Sequence, residues 1–275
     1  MSRSHRMLSK KALPLLKFFT CFTTLFLCFA CASGVKFQGR DILTEKPLDL
    51  RGTLYKPSGE GPFPAVVVMH DCSGRNALSN LWSTRLQNWG YVAFEVDSIG
   101  PRGGKTSCTA YSGGPSYMAR TLDAFYAKAY LNQLPFVKHD NVGLMGFSHG
   151  GGVTVTALDS DNMAHLPAEI ATPFKVGVAY YPYCTLNFKG VDAPIMVLTG
   201  EADEWHSEYT CRLNIPEPDT IEHEFVYKSF EGANHCFDWP GLDTTKLGYK
   251  LKYHPEAAAQ AKKMTQEYFE KYLTH

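Results

Sequence analysis

The sequence predicts an α/β fold: one domain over residues 33–275, with a mostly parallel central sheet and helices on both faces. Three observations predict it. Short apolar runs rich in β-branched residues recur down the chain, as strands buried on both faces do. Segments of helical periodicity alternate with them. The length of 275 residues, with 44% hydrophobic and 20% charged residues, suits one large α/β domain. Formal net charge is zero and there is no long basic or acidic run, so nothing points to nucleic acid.

The first 32 residues stand apart. "MSRSHRMLSKKALPLLKFF" carries Arg3, Arg6, Lys10, Lys11 and Lys17 and no acid, and the uncharged run "FFTCFTTLFLCFACA" follows. That run is short for a bilayer span and suits the apolar core of a secretory signal. Ala30-Cys31-Ala32 fits the small-x-small pattern before a cleavage site. The expectation is a signal peptide over 1–32 and export to the periplasm or medium. An uncleaved membrane anchor or lipidation at Cys31 is the alternative. Without the leader, 22 basic residues face 27 acidic ones, a net charge of −5, which favours neither nucleic acid nor membrane as a partner.

After the leader, residues 34–61 read as extended segments ending in a Pro/Gly/Ser turn. "FPAVVVMH" (63–70) is a buried strand. Residues 76–89 place Leu78, Leu81, Trp82, Leu86 and Trp89 at helical spacing before Gly90. "YVAFEVD" (91–97) is a strand, and "SIGPRGGKTSC" a loop in which Arg102 is expected to pair with an acid such as Asp97. Residues 116–134 form a long helix ended by Pro135; "NVGLMGF" (141–147) is a strand, followed by a helix start at "GGGVTVTALDS". "FKVGVAYYP" (174–182), "APIMVLTG" (193–200) and "EHEFVYKSF" (222–230) are three more strands. From Pro255 a final amphipathic helix puts Ala261, Met264, Tyr268 and Tyr272 on one face.

The segment "GLMGFSHGGG" (143–152) crowds five glycines around Ser148. Gly146-Phe147-Ser148-His149-Gly150 matches G-x-S-x-G between a strand and a helix. There a serine on a sharp turn is pushed out above the sheet, and its neighbours must be small because two backbones pass close together. Gly151 and Gly152 are expected to let the new helix pack tightly on the sheet. A serine hydroxyl needs a base, and the base needs a carboxylate to hold its tautomer. In this strand–turn–helix setting the acid and then the histidine follow the serine in the chain. "LTGEADEW" supplies Asp203, with Glu201 and Glu204 as rivals, and "EGANHCFDW" supplies His235, with His206, His223 and His254 as rivals. The backbone N–H of His149 and that of Cys72, in the loop His70-Asp71-Cys72-Ser73-Gly74, are the expected oxyanion donors. No metal or cofactor is called for.

Five cysteines follow the leader and none forms a CxxC cluster. In an oxidising compartment the expected pairs are Cys72–Cys108 and Cys184–Cys211, with Cys236 free. Tyr111, Tyr181, Tyr183, Trp205 and Trp239 are candidates for the mouth of the site.

The ordered set "VVVMHDCSG", "EVDSIGPRGGKTSC", "GFSHGG", "AYYPYC", "LTGEADEW" and "GANHCFDW", spread over roughly residues 50–273, resembles the dienelactone hydrolase family of the α/β-hydrolase superfamily. The resemblance implies an α/β-hydrolase domain with Ser148 as nucleophile, Asp203 as acid, His235 as base and the oxyanion donors just named. Dienelactone hydrolase proper carries a cysteine in the elbow. The serine here points to a general serine hydrolase acting on small carboxylic esters, a small-molecule substrate. A peptidase-like hydrolase and a non-catalytic binding protein on the same scaffold are the competing classes.

Overall fold

The computed structural model describes residues 31–109, 111–186 and 188–274. The expected leader lies outside these residues, apart from Cys31 and Ala32, which open the first strand. No helix among the described residues is long and apolar enough to cross a membrane.

The elements run β1 (Cys31–Arg40), β2 (Pro47–Lys56), β3 (Phe63–Met69), α1 (Ala77–Asn88), β4 (Val92–Asp97), α2 (Tyr117–Leu131), β5 (Val137–Phe147) and α3 (His149–Ala157). There follow α4 (Ser160–Met163), β6 (Gly177–Tyr180), β7 (Ile195–Gly200), α5 (Glu208–Leu213), β8 (Phe225–Phe230), the hairpin β9 (Asp243–Lys246) and β10 (Tyr249–Lys252), and α6 (Pro255–Leu273). Eight strands form one sheet in the order β1-β2-β4-β3-β5-β6-β7-β8. The strands from β4 across to β8 are parallel, and β2 runs antiparallel to both β1 and β4. The chain leaves β3 for β4 on one side and returns to β5 on the other. The crevice at the carboxyl ends of β3 and β5 is therefore a topological switch point, where open α/β sheets bind ligands.

Local chemistry sets the helix ends. The Asn76 side chain accepts from the Leu78 and Ser79 N–H groups and the Ser79 hydroxyl answers the Asn76 N–H, a capping box that starts α1. Gly90, with φ +93°, turns the chain back into the sheet. Ser116 caps α2 through the Ala119 N–H, and the His254 ring caps α6 ahead of Pro255 at its first turn. Two apolar cores follow from the two covered faces. One packs Val67, Phe94 and Leu144 against Phe125 and Val153 of α2 and α3; the other packs Val68, Phe147 and Val178 against Trp82 and Phe269 of α1 and α6.

Several sequence readings shift. Strand β6 covers only Gly177–Tyr180 of the expected 174–182, whereas β5 begins four residues early, at Val137. The buried stripe of α6 is Ala257, Ala261, Thr265, Tyr268, Phe269 and Leu273, so the expected face was rotated: Met264 and Tyr272 flank it. Arg102 does not pair with Asp97. It holds the buried Asp123 of α2 in a two-pronged salt bridge at 2.7 and 2.8 Å, because Asp97 instead accepts from the N–H groups of Ile99 and Gly100 in its own turn.

Candidate active site

Strand β5 delivers Ser148 to the switch point in a strained turn, with φ 52° and ψ −114°. A non-glycine residue there costs about 1–3 kcal/mol, and only a close surround holds it. The surround is backbone. A Cβ on Gly146 would strike the Gly150 carbonyl, and one on Gly150 would strike the carbonyls of Met69 and His70. Glycine is thus required on both sides of the serine. Gly152 faces the Tyr117 ring rather than the sheet, which corrects its expected role. The Ser148 N–H donates to the Tyr180 carbonyl at 2.9 Å and its carbonyl accepts from Gly152 at 2.9 Å, so the elbow is tied to β6 and to its own helix.

Asp203 follows β7 and His235 follows β8. His235 Nε2 lies 3.0 Å from Ser148 Oγ, and His235 Nδ1 lies 2.7 Å from Asp203 Oδ2. A carboxylate accepts, so Nδ1 carries the ring proton and the Nε2 lone pair faces the hydroxyl. The other carboxylate oxygen of Asp203 accepts from the Trp205 and His206 N–H groups at 2.9 Å each, which orients it. Asp203 and His235 are almost wholly buried, whereas Glu201 and Glu204 are exposed. The His235 ring is boxed by Tyr181, His206 and Trp205, with ring centroids 4.7, 4.8 and 5.2 Å away. Of the rival histidines, His223 pairs with Asp192 and His254 caps α6. His206 enters the site beside His235 with its Nδ1–H on the Tyr181 carbonyl at 2.8 Å. Burial, then the neighbouring His235, push its pKa down to about 4.

The loop after β3 is built around buried groups. Asp71 accepts from the Ser73 N–H at 2.6 Å and from the Asn76 side chain at 2.6 Å. His70 accepts through Nε2 from the Ser98 N–H at 3.3 Å, so its Nδ1–H donates to the Asp71 carbonyl at 2.6 Å, with Arg120 alongside at 3.1 Å. Burial above all, and then Arg120, hold His70 well below the usual histidine range. Arg120 is buried too. It donates to the His70 carbonyl at 2.5 Å and meets His149 Nδ1 at 2.9 Å. Desolvation pushes Arg120 down to about 10, and desolvation followed by Arg120 pushes His149 down to about 2. The backbone N–H groups of Cys72 and His149 carry no hydrogen bond among the described residues. Cys72 is bonded to Cys108 and Cys184 to Cys211, while Cys236 is a buried thiol.

A cleft of about 590 Å³ opens on Ser148, bounded by Cys72–Cys108, Tyr117, Tyr183, Trp205 and His206. Among the candidate mouth aromatics, Tyr183 and Trp205 line it. Tyr111 points to solvent, Tyr181 lies beneath His235 with its hydroxyl on Asp238, and Trp239 packs on the core. Sequence reasoning missed Tyr117 and Tyr249. Tyr249 stacks on Trp205 at 5.3 Å from β10. Its hairpin was readable: Leu247 and Gly248, at φ +53° and +88°, join paired Lys246 and Tyr249, and a two-residue loop with both φ positive has glycine as its signal. Lys246 reaches from that hairpin to the Ser73 hydroxyl at 2.5 Å, tying it to the loop after β3. Among the described residues, no group of three or more His, Cys, Asp or Glu side chains is arranged to hold a metal ion.

Comparison with known proteins follows the same lines. The family model "Dienelactone hydrolase family" matches residues 50–273. A curated protein of Synechocystis sp., named "Putative carboxymethylenebutenolidase", is 26% identical over 242 residues, 81% of this chain and 92% of that protein. A dienelactone hydrolase-like promiscuous phosphotriesterase from metagenomic libraries superposes with a TM-score of 0.64 at 17% identity, over 89% of this chain and 99% of that one. A thermophilic esterase of Thermogutta terrifontis does so with 0.63 at 17%, over 88% and 92%. At such identity the solved structures speak for the fold, which is that of the α/β-hydrolases. With the match running from β2 to the end of α6, the chain belongs to the dienelactone hydrolase family.

Proposed function

We propose that the protein is an exported serine esterase that cleaves small carboxylic esters through an acyl-enzyme on Ser148. The observation that carries this reading is the unbroken chain of contacts from Ser148 Oγ through His235 to Asp203, at 3.0 and 2.7 Å. His235 takes the serine proton as Oγ attacks the ester carbonyl. The oxyanion that forms is met by the free N–H groups of Cys72 and His149, each such donor supplying about 3 kcal/mol to the transition state. The imidazolium then gives its proton to the departing alcohol. Water, deprotonated by the same ring, attacks the acyl-enzyme, and the acid leaves with Oγ reprotonated. Asp203 holds the tautomer throughout and stabilises the imidazolium.

Two further facts support the reading. An esterase shares the fold, and the curated relative's name is that of a lactone-opening enzyme, a lactone being a cyclic ester. The two disulfides support export, with the leader removed near Ala32. The N-terminal sequence of the protein purified from its host checks that position. The activity is tested with a fluorophosphonate probe and a p-nitrophenyl ester. Wild type is expected to label and to hydrolyse, and Ser148→Ala to do neither. Equal labelling of the two proteins would sink the esterase reading in favour of a non-catalytic scaffold.

A further inference from the structure

We propose that the His149 side chain is a fixed hydrogen-bond donor to the acyl half of the substrate, so that short, uncharged esters with an acceptor oxygen beside the reacting carbonyl are the preferred class. This rests on the esterase reading and deepens it.

The partner of the ring decides its tautomer. Arg120 NH1 lies 2.9 Å from His149 Nδ1. A guanidinium only donates, so Nδ1 accepts and the ring proton sits on Nε2. The ring lies flat on Tyr117, with centroids 3.9 Å apart and planes within 10°. A half-turn of the ring would set Cδ2, which cannot accept, against the guanidinium. Nε2 bonds no other residue among those described and is not sealed in the interior, and the ring lines the cleft. The result is a donor aimed at bound substrate and polarised from behind by a buried cation.

Placement decides which half of the ester it meets. His235, which returns a proton to the leaving alcohol, stands among Trp205 and His206 on the wall formed by the loops after β7 and β8. His149 and Tyr117 belong to the other wall, with Ser116 and Cys108. The alcohol departs along the first wall, which leaves the acyl group against the second. Among the described residues, no Lys, Arg, Asp or Glu lines the cleft. A charged acyl group would lose its hydration there without gaining an ion pair. A neutral ether, keto or hydroxyl oxygen would exchange water for the His149 proton.

The test compares p-nitrophenyl methoxyacetate with p-nitrophenyl butyrate, which have equal numbers of heavy atoms, with each rate divided by its alkaline hydrolysis rate. Wild type is expected to prefer the methoxyacetate after that correction. His149→Phe keeps an aromatic ring against Tyr117 and removes the donor. It is expected to lower the corrected kcat/KM ratio about five- to tenfold, the share of one hydrogen bond, whatever happens to the two rates singly. An unchanged ratio overturns the proposal while leaving the esterase reading intact. A wild type that hydrolyses neither ester overturns both. A long-range ¹H–¹⁵N spectrum of wild type at pH 7, which needs no substitution, is expected to show His149 as the Nε2–H tautomer; the Nδ1–H form would overturn the proposal. Arg120 is the positioning residue, and in Arg120→Met the same spectrum is expected to show the tautomer redistributed; an unaltered signal removes Arg120 from the argument.

Discussion

Acidification from pH 7 to pH 5 should cost this fold several kcal/mol through histidines that must stay neutral. His149 is buried and His206 half-buried, and their pKa values fall to about 2 and about 4, first by desolvation and then through Arg120 and His235 respectively. In the unfolded chain both return to about 6.5. These are bases with a depressed folded value, so their stabilisation is complete above 6.5. It drains as the pH falls toward the folded value, because the unfolded state takes up the protons first. The loss runs at about 1.4 kcal/mol per pH unit for each histidine. By pH 5 each has cost about 2 kcal/mol, about 4 together, and His70 adds to it in the same direction. That is a large part of a typical stability of about 5–15 kcal/mol. The carboxyls of Asp123 and Asp238, raised by burial, oppose it, since they take up protons in the folded state first. The assay is urea unfolding with linear extrapolation at pH 7, 6 and 5, on wild type and His206→Gln. The carboxylate contribution is common to both proteins, so the variant should lose about 2 kcal/mol less between pH 7 and pH 5. Equal losses in the two proteins refute the argument.

Asp203→Asn keeps the hydrogen-bond geometry but favours the wrong His235 tautomer, and kcat on a p-nitrophenyl ester should fall about 10⁴-fold with little change in KM. Gly150→Ala drives a Cβ into the carbonyls of Met69 and His70, and its urea midpoint should report a loss of about 3 kcal/mol. The chain beginning after Ala32 should show one thiol to a colorimetric thiol reagent in denaturant without reductant, and none when folded, because Cys236 is buried and the other four cysteines are paired. Removing the Cys72–Cys108 bond as Cys108→Ser frees the loop that carries the Cys72 N–H. The kcat should drop while KM moves little, since in the proposed mechanism that N–H acts on the transition state.

Much of this molecule was legible from residue type and spacing. Runs such as "FPAVVVMH" and "APIMVLTG", short and rich in β-branched residues, read as buried strands, and G-x-S-x-G between a strand and a helix marks a strained serine whichever sheet carries it. Chain order pointed to Asp203 and His235. What local sequence could not state was which partners long-range packing would choose. Arg102 meets Asp123 rather than Asp97, and the choice lies in how α2 sits on the sheet. Tyr117 and Tyr249 come to the cleft from a helix and a hairpin that touch the site only after folding. The state of His149 belongs to this second kind. Its place after the serine is a property of the chain, whereas its tautomer is imposed by an arginine 29 residues away, because a proton's position on an imidazole depends on what faces the ring and not on what precedes it in sequence.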